Sequence, residues 1–320
     1  MIMEIARTSA DLSFSRKGAS PCLMISEIAP QMLSLLVLCG VLAAQGSSGA
    51  QDSRAAEPKP LLRIALVSDT HTNRRFSDPD QGRYKGHLDQ VIAQVNDAKV
   101  DLVLIAGDLT QGGLPTEMED FTQQIKAFTA PVRYVPGNHD VGDKHLTSKP
   151  GAGVTTERVT RFEQRLGASW WSAAFGRRPG VRVIGLNSSL LGSGLPKEAS
   201  QWAFLEQELT RPDAPPTLLL MHYPPFLKTA DEPGGDYWNI EPAPRARLLD
   251  LIRRPQSHVI GILTGHLHRG NDVHFGAIRI VTTPPVSFGL PPGKQPEGWT
   301  LITVPTKGEI QTEFHAIGKN

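Results

Sequence analysis

The sequence predicts an α/β domain built on a mostly parallel sheet, and three observations lead there. From residue 61 onward, apolar runs of strand length alternate with amphipathic stretches, a rhythm that right-handed crossovers convert into parallel pairs. Several of the runs stop at a short cluster of Gly, Asp, Asn and His: Asp69-Thr70-His71, Gly107-Asp108, Gly137-Asn138-His139-Asp140, His222 and Gly265-His266-Leu267-His268. Composition allows a substantial core, with 39% hydrophobic and 20% charged residues in a chain of 320, ordinary values for a globular protein.

The chain opens on a different kind of segment. Residues 32–44 (MLSLLVLCGVLAA) form an apolar run too short to span a bilayer comfortably. Ser48 and Ala50 then supply the small residues of a signal-peptide cleavage site. Residues 1–50 therefore read as a signal-peptide region and the polar, proline-bearing stretch 51–60 as a linker. Against this stands the charge pattern, since Glu27 precedes the run and the nearest bases are Arg16 and Lys17. The expected location is periplasmic or extracellular if the segment is cleaved, with no transmembrane anchor left, and membrane-anchored or cytoplasmic otherwise. Cys22 and Cys39 both fall in this segment, so the body has no thiolate for a metal or a disulfide.

In the body, 61–68 is the first strand and ends at Asp69. A helix over 86–98 follows, with Leu88, Val91, Ile92 and Val95 on one face. The second strand, 102–106, delivers Gly107-Asp108, and Pro115 suits the first turn of a helix over 116–128. A third strand, 132–135, ends at Gly137-Asn138-His139. Further on, 181–187 and 217–222 are nearly continuous apolar runs, as strands covered on both faces require. Helices are expected at 199–209 and 245–253, and a strand at 259–264 leads into Gly265-His266. The tail segments 278–283, 300–304 and 310–315 read as antiparallel strands closing a second sheet. One domain over 61–317 is the economical reading. Loops at 73–85, 141–157, 190–197 and 224–244 follow the motif strands and should rim any site there.

Carboxylate, amide oxygen and imidazole are the donors that hard and borderline divalent ions take. Asp69 and His71, two apart at a strand end, should leave the same face, as should His266 and His268. Asp108 is the natural carboxylate to lie between two cations, Asn138 adds a neutral oxygen, and His222 a further nitrogen. His139 is left over and can protonate a leaving alkoxide, with Asp140 beside it to orient it or hold it protonated. Two metal ions at close range are a device for displacing an oxygen at phosphorus. Any one of these motifs is weak alone, but five in order after strand-like runs are specific.

The series Asp-x-His, Gly-Asp, Gly-Asn-His-Asp, His, Gly-His-x-His resembles the calcineurin-like metallophosphoesterase superfamily, over roughly residues 61–317. The resemblance implies a four-layer αββα sandwich of two mixed sheets flanked by helices. It implies that Asp69, His71 and His268 hold one metal ion, that Asn138, His222 and His266 hold another, and that Asp108 bridges them. It also implies attack on phosphorus by metal-activated hydroxide, with His139 as general acid. The purple acid phosphatases of this superfamily carry a tyrosine three residues after the Gly-Asp aspartate. Gln111 stands there, which turns the expectation from tyrosinate-bound ferric iron to two divalent ions among Mn, Fe and Zn. Residues 137–142, Asn187-Ser188 and the stretch 265–269 are similar to a subgroup containing a eukaryotic serine/threonine phosphatase with a calcineurin-like domain.

The leading expectation is hydrolysis of a phosphate monoester, on a small molecule or a phosphoprotein. The alternative is a phosphodiesterase for cyclic nucleotides or glycerophosphodiesters, and the third reading is a metal-binding scaffold without catalysis. Arg74, Asn187 and Tyr237 are the candidate substrate contacts: a guanidinium fork for phosphoryl oxygens, an amide at a strand end, and an aromatic for an organic leaving group. The formal net charge of +1 comes with no basic stripe, so no nucleic-acid surface is evident.

Overall fold

Strand β1 (Leu62–Val67) shows the design of the whole domain, because its two faces enter two different cores. Leu62, Ile64 and Leu66 pack into one apolar cluster while Ala65 and Val67 pack into another. A strand buried on both faces needs apolar residues at consecutive positions, which is how it reads in the sequence. The computed structural model describes residues 59–73, 81–144, 151–178 and 180–318, and the signal-peptide region, both cysteines, most of the linker and Arg74 lie outside them.

After β1 come α1 (Gln81–Ala98), β2 (Leu102–Ala106), α2 (Pro115–Ile125) and β3 (Val132–Val135), with both new strands added in parallel. The one-turn α3 (Asn138–Val141) carries the third motif, and α4 (Thr156–Leu166) follows it. Helix α4 is not among the expected elements, yet Val159, Phe162 and Leu166 form its buried stripe and Thr155 caps it by accepting from the Arg158 N–H at 3.2 Å. The second half gives β4 (Trp171–Phe175), β5 (Val181–Gly185), α5 (Pro196–Leu209), β6 (Thr217–Leu220), α6 (Pro242–Ile252) and β7 (Val259–Thr264). The chain closes with β8 (Asn271–Phe275), β9 (Ile278–Thr282), β10 (Gly298–Val304) and β11 (Gln311–Ala316).

These strands form two mixed sheets, ordered β11-β10-β1-β2-β3 and β4-β5-β6-β7-β9-β8. Between the sheets lies a core shared by Leu62, Ile64, Leu104, Val183, Leu218, Leu220, Leu263 and Ile302. The first sheet's outer face packs against α1, α2 and α4 through residues such as Val91, Phe121 and Phe162. The second sheet's outer face packs against α5 and α6 through Trp202, Leu205 and Leu248. The layers are therefore α, β, β, α.

One expectation is corrected. The tail strands do not close a sheet together. β9 pairs parallel with β7 and antiparallel with β8, whereas β10 returns to the free edge of β1, antiparallel with Leu62 opposite Val304, and β11 adds outside it. The apolar pattern fixes which residues are buried, but the choice of partner edge is decided across the molecule, where β1 has one edge open after β2 takes the other.

Candidate metal centre

Every motif is delivered by a strand end or the turn just beyond it, and the backbone there is unusual. Asp69, His71, Asp108, His266 and His268 all have positive φ, at 54°, 46°, 50°, 71° and 52°. Left-handed backbone costs a non-glycine residue energy and persists where surrounding structure over-determines it, typically at functional sites. It also corrects the expectation of strand-like alternation. β1 ends at Val67 and β7 at Thr264, so Asp69 with His71, and His266 with His268, converge through tight turns rather than through a strand's period of two. The motif glycines stand where a side chain would collide with the site. A Cβ on Gly137 would lie 2.1 Å from Asp108 Oδ1, and one on Gly265 would lie 1.7 Å from Ser68 Oγ.

The side chains collect into two groups that share one carboxylate. Asp69, His71, Asp108 and His268 present donor atoms within 4.8 Å of one another, and so do Asp108, His222 and His266. In the first group His71 Nε2 is 3.3 Å from His268 Nε2 and 3.7 Å from Asp108 Oδ2, and His268 Nε2 is 3.4 Å from Asp69 Oδ1. In the second, His222 Nε2 is 3.3 Å from Asp108 Oδ2, 3.2 Å from His266 Nδ1 and 3.0 Å from Asn138 Oδ1. All seven residues are buried.

The donor set fits divalent ions on three counts. Donors about 2.1 Å from a shared ion stand about 3.0–3.4 Å apart along the edges of an octahedron or tetrahedron, close to the separations found. Asp69 Oδ1 is buried without a hydrogen-bond partner, a costly condition unless an ion takes it. And each imidazole has its other nitrogen held by an oxygen: His71 Nδ1 by Gln111 Oε1 at 2.8 Å, His222 Nδ1 by the Ala106 carbonyl at 2.7 Å, His266 Nε2 by the Tyr237 carbonyl at 3.0 Å, and His268 Nδ1 by the Phe288 carbonyl at 2.6 Å. A carbonyl oxygen can only accept, so these contacts set the tautomer and turn the opposite nitrogen inward, the arrangement metal-binding histidines use.

Without cations the cluster balances its own charge. Burial alone would raise the Asp108 carboxyl, but His222, His139 and His71 around it hold it well below the usual range. Burial opposes charge on His222 as well, yet Asp108 and Asp69 outweigh it and push the imidazole up to about 9. Asp69 is raised by burial, while burial and neighbouring imidazoles hold His71 and His266 well below the ordinary histidine value.

His139 stands at the edge of this cluster, its ring 4.5 Å from that of His71. Its backbone N–H donates to Asp108 Oδ1 at 2.9 Å, and its Nδ1 donates to the Gln111 carbonyl at 2.8 Å. Burial works against its charged form, but Asp108, the Gln111 carbonyl and Asp140 prevail and raise its pKa. Asp140 does not hold the ring directly. Its carboxylate accepts from the N–H groups of Leu109, Thr110 and Gly137 and from the Thr110 hydroxyl, tying the second motif to the third. Burial and the nearby Asp108 raise Asp140 to about 6.

A cavity of about 460 Å³ opens beside His139 and Asn138. Arg158 and Arg161 of α4 line it, with Gln111, Asp143 and Tyr237. Tyr237 lies in the wall of this cavity, and it also touches the metal centre, since its hydroxyl accepts from Asn138 Nδ2 at 2.9 Å. Asn187 is fully buried after β5 and does not line the cavity, with its backbone N–H and carbonyl both bonded to the Gln201 amide. Sequence reasoning missed the service of Gln111 to two histidines at once and the wall formed by α4. The place of Gln111 was visible, three residues after Asp108, but its hydrogen bonds depend on the turn.

A family model described as calcineurin-like phosphoesterase matches residues 62–270. The chain is similar to the 3',5'-cyclic adenosine monophosphate phosphodiesterase CpdA of Escherichia coli K12, with 26% identity over 273 residues, covering 80% of this chain and 90% of that protein. It is also similar to a probable glycerophosphodiester phosphodiesterase, GpdQ, of Arcobacter nitrofigilis, with 29% identity over 228 residues, 68% of this chain and 76% of that one. Among solved structures, a dimetal phosphatase from Danio rerio shares the fold at a TM-score of 0.53 and 13% identity, over 81% of this chain and all (100%) of that one.

Proposed function

Because the chain belongs to the calcineurin-like phosphoesterase family and is a metal-dependent phosphoesterase, we propose that it hydrolyses phosphate diesters, of the cyclic-nucleotide or glycerophosphodiester kind. This takes the place of the monoester as the leading reading. The observation that carries it is the kinship, across most of the chain, with two proteins named for diester substrates. The cavity supports it, since 460 Å³ beside His139 gives room for an organic substituent on phosphorus.

Asp69, His71 and His268 would hold one ion and Asn138, His222 and His266 the other, with the Asp108 carboxylate available to both. The all-oxygen and nitrogen donor set suits Mn, Fe or Zn. Bound there, the ions supply Lewis-acid charge at phosphorus and acidify water near neutral pH. The protein's own groups do the rest. Gln111 keeps the His71 ring turned inward and fixes the His139 proton on Nδ1, which leaves Nε2 to carry the proton that a leaving alkoxide needs. Asp140 clamps the turns at 107–110 and 137–140 together, which sets the position of Asp108 and His139, and its charge helps hold the His139 ring protonated. Tyr237 walls the cavity and steadies Asn138.

The test compares kcat/KM of metal-loaded protein for bis(p-nitrophenyl) phosphate and p-nitrophenyl phosphate. A clear preference for the diester is expected. Preference for the monoester would restore the earlier reading, and inertness toward both would point to the scaffold.

A further inference from the structure

The loop between β6 and α6 runs from His222 to Glu241 and reaches the metal centre at several points: the Tyr223 and Trp238 rings stand 4.2 Å and 5.7 Å from that of His266, and Tyr237 bonds to it directly. The Tyr237 hydroxyl accepts from Asn138 Nδ2 and its carbonyl accepts from His266 Nε2, so it orients two of the groups assigned to the second ion. Residues 233–237 are exposed, and the Tyr237 ring packs 4.7 Å from that of His266. Burial resumes at Asn239, Ile240 and Glu241.

At that point lies a lysine with almost no solvent contact. Lys144 follows α3 by three residues, and its side chain is 3% exposed against 9% for Glu241. Its Nζ donates to the Asn239 carbonyl at 2.5 Å and meets Glu241 Oε1 as an ion pair at 2.8 Å. Glu241 Oε2 in turn accepts the Gly235 N–H at 2.9 Å, two residues before Tyr237. The Lys144 backbone N–H points to the Tyr223 hydroxyl at 3.4 Å, beside His222. Farther along, Arg245 donates to the Glu232 carbonyl. One buried ammonium thus ties the segment bearing Asn138 and His139 to the loop bearing Tyr237. Burying such a pair is costly, and a hydrophobic pair of similar shape is often no less stable. Such a pair makes sense as a positional device.

We propose that Lys144, paired with Glu241, is a positioning residue for the second metal ion. It fixes the Tyr237 loop so that the Tyr237 hydroxyl and carbonyl hold Asn138 and His266 in ligating orientation. The proposal rests on the binuclear reading of the site. It leaves the first ion alone, since Gln111 and Phe288 orient His71 and His268 from other parts of the chain.

The test is a calorimetric titration of Mn²⁺ or Zn²⁺ into metal-free full-length protein, for the wild type, Lys144→Met and Glu241→Gln. In the wild type two ions should bind. In both variants the first should bind as before and the second about 10–100-fold more weakly, the usual loss when a group supporting a ligand is removed. Glu241→Gln keeps the side chain's shape and serves if Lys144→Met does not fold. Two ions bound at wild-type affinity in the variants, or both ions weakened alike, would overturn the proposal. A wild type that binds fewer than two ions would overturn the binuclear reading and this one with it.

Discussion

Replacing His139 with alanine separates proton transfer from metal binding. The change deletes the ring but keeps the backbone N–H that donates to Asp108 Oδ1 at 2.9 Å. The ring belongs to neither donor group, which are Asp69, His71, Asp108, His268 and Asp108, His222, His266. Metal content should therefore be unchanged, and the loss should fall on kcat. Removing a general acid costs about two to four decades in rate, or about 2.7–5.4 kcal/mol of transition-state stabilisation at about 1.36 kcal/mol per decade. That full loss applies to an alkoxide leaving group, which must be protonated. A p-nitrophenolate leaving group carries its own charge and needs little help. The assay is kcat for a diester series graded from p-nitrophenyl through phenyl to alkyl esters, in wild type and His139→Ala, with bound metal measured on the same samples. The variant should lose progressively more as the leaving group becomes more basic. Equal losses across the series, or loss of metal from the variant, would refute the acid role.

Two further outcomes follow from the same geometry. With His222 at about 9, the metal-free protein carries a proton there at pH 7. A ligating imidazole must be neutral, so binding expels that proton and affinity rises with pH until about 9. Calorimetry in buffers of different ionisation enthalpy should show about one proton released from this group at pH 7, and a pH-independent affinity between 6 and 8 would contradict the assignment. Gln111→Leu removes the oxygen on His71 Nδ1 but keeps the main-chain carbonyl on His139. The first ion should then weaken about 10–100-fold with the leaving-group dependence unchanged, as read by metal titration and the same diester series.

The half of the fold that reads directly from the sequence is the half where neighbours in the chain are neighbours in space. β1, β2 and β3 follow one another across the first sheet, so alternating strand and helix periods were enough. The place of β10 is hidden from the sequence because it pairs with an edge formed more than two hundred residues earlier, Leu62 opposite Val304, and β11 follows as the outer neighbour of β10. The second sheet's edge strand β8 escaped notice because its residues alternate in burial and carry Asn271, Asp272 and His274. At the site, the residue types and their order identified the donors, since Asp, Asn and His after strand ends have few other reasons to recur. Their mutual geometry was not legible. It depends on left-handed turns at Asp69, His71, Asp108, His266 and His268, which no hydrophobic period encodes. The same holds for Asp140, whose four donors come from two separate turns, and for Asn187, whose backbone N–H and carbonyl both bond to the Gln201 amide on α5.

The central claim is that two ions share Asp108, and counting bound metal tests it most directly. Elemental analysis of metal-loaded protein, wild type beside Asp108→Ala, should give two ions per chain in the first and loss of the pair in the second, with diester hydrolysis abolished. A variant that still holds two ions, or still turns over diester at the wild-type rate, would contradict the account.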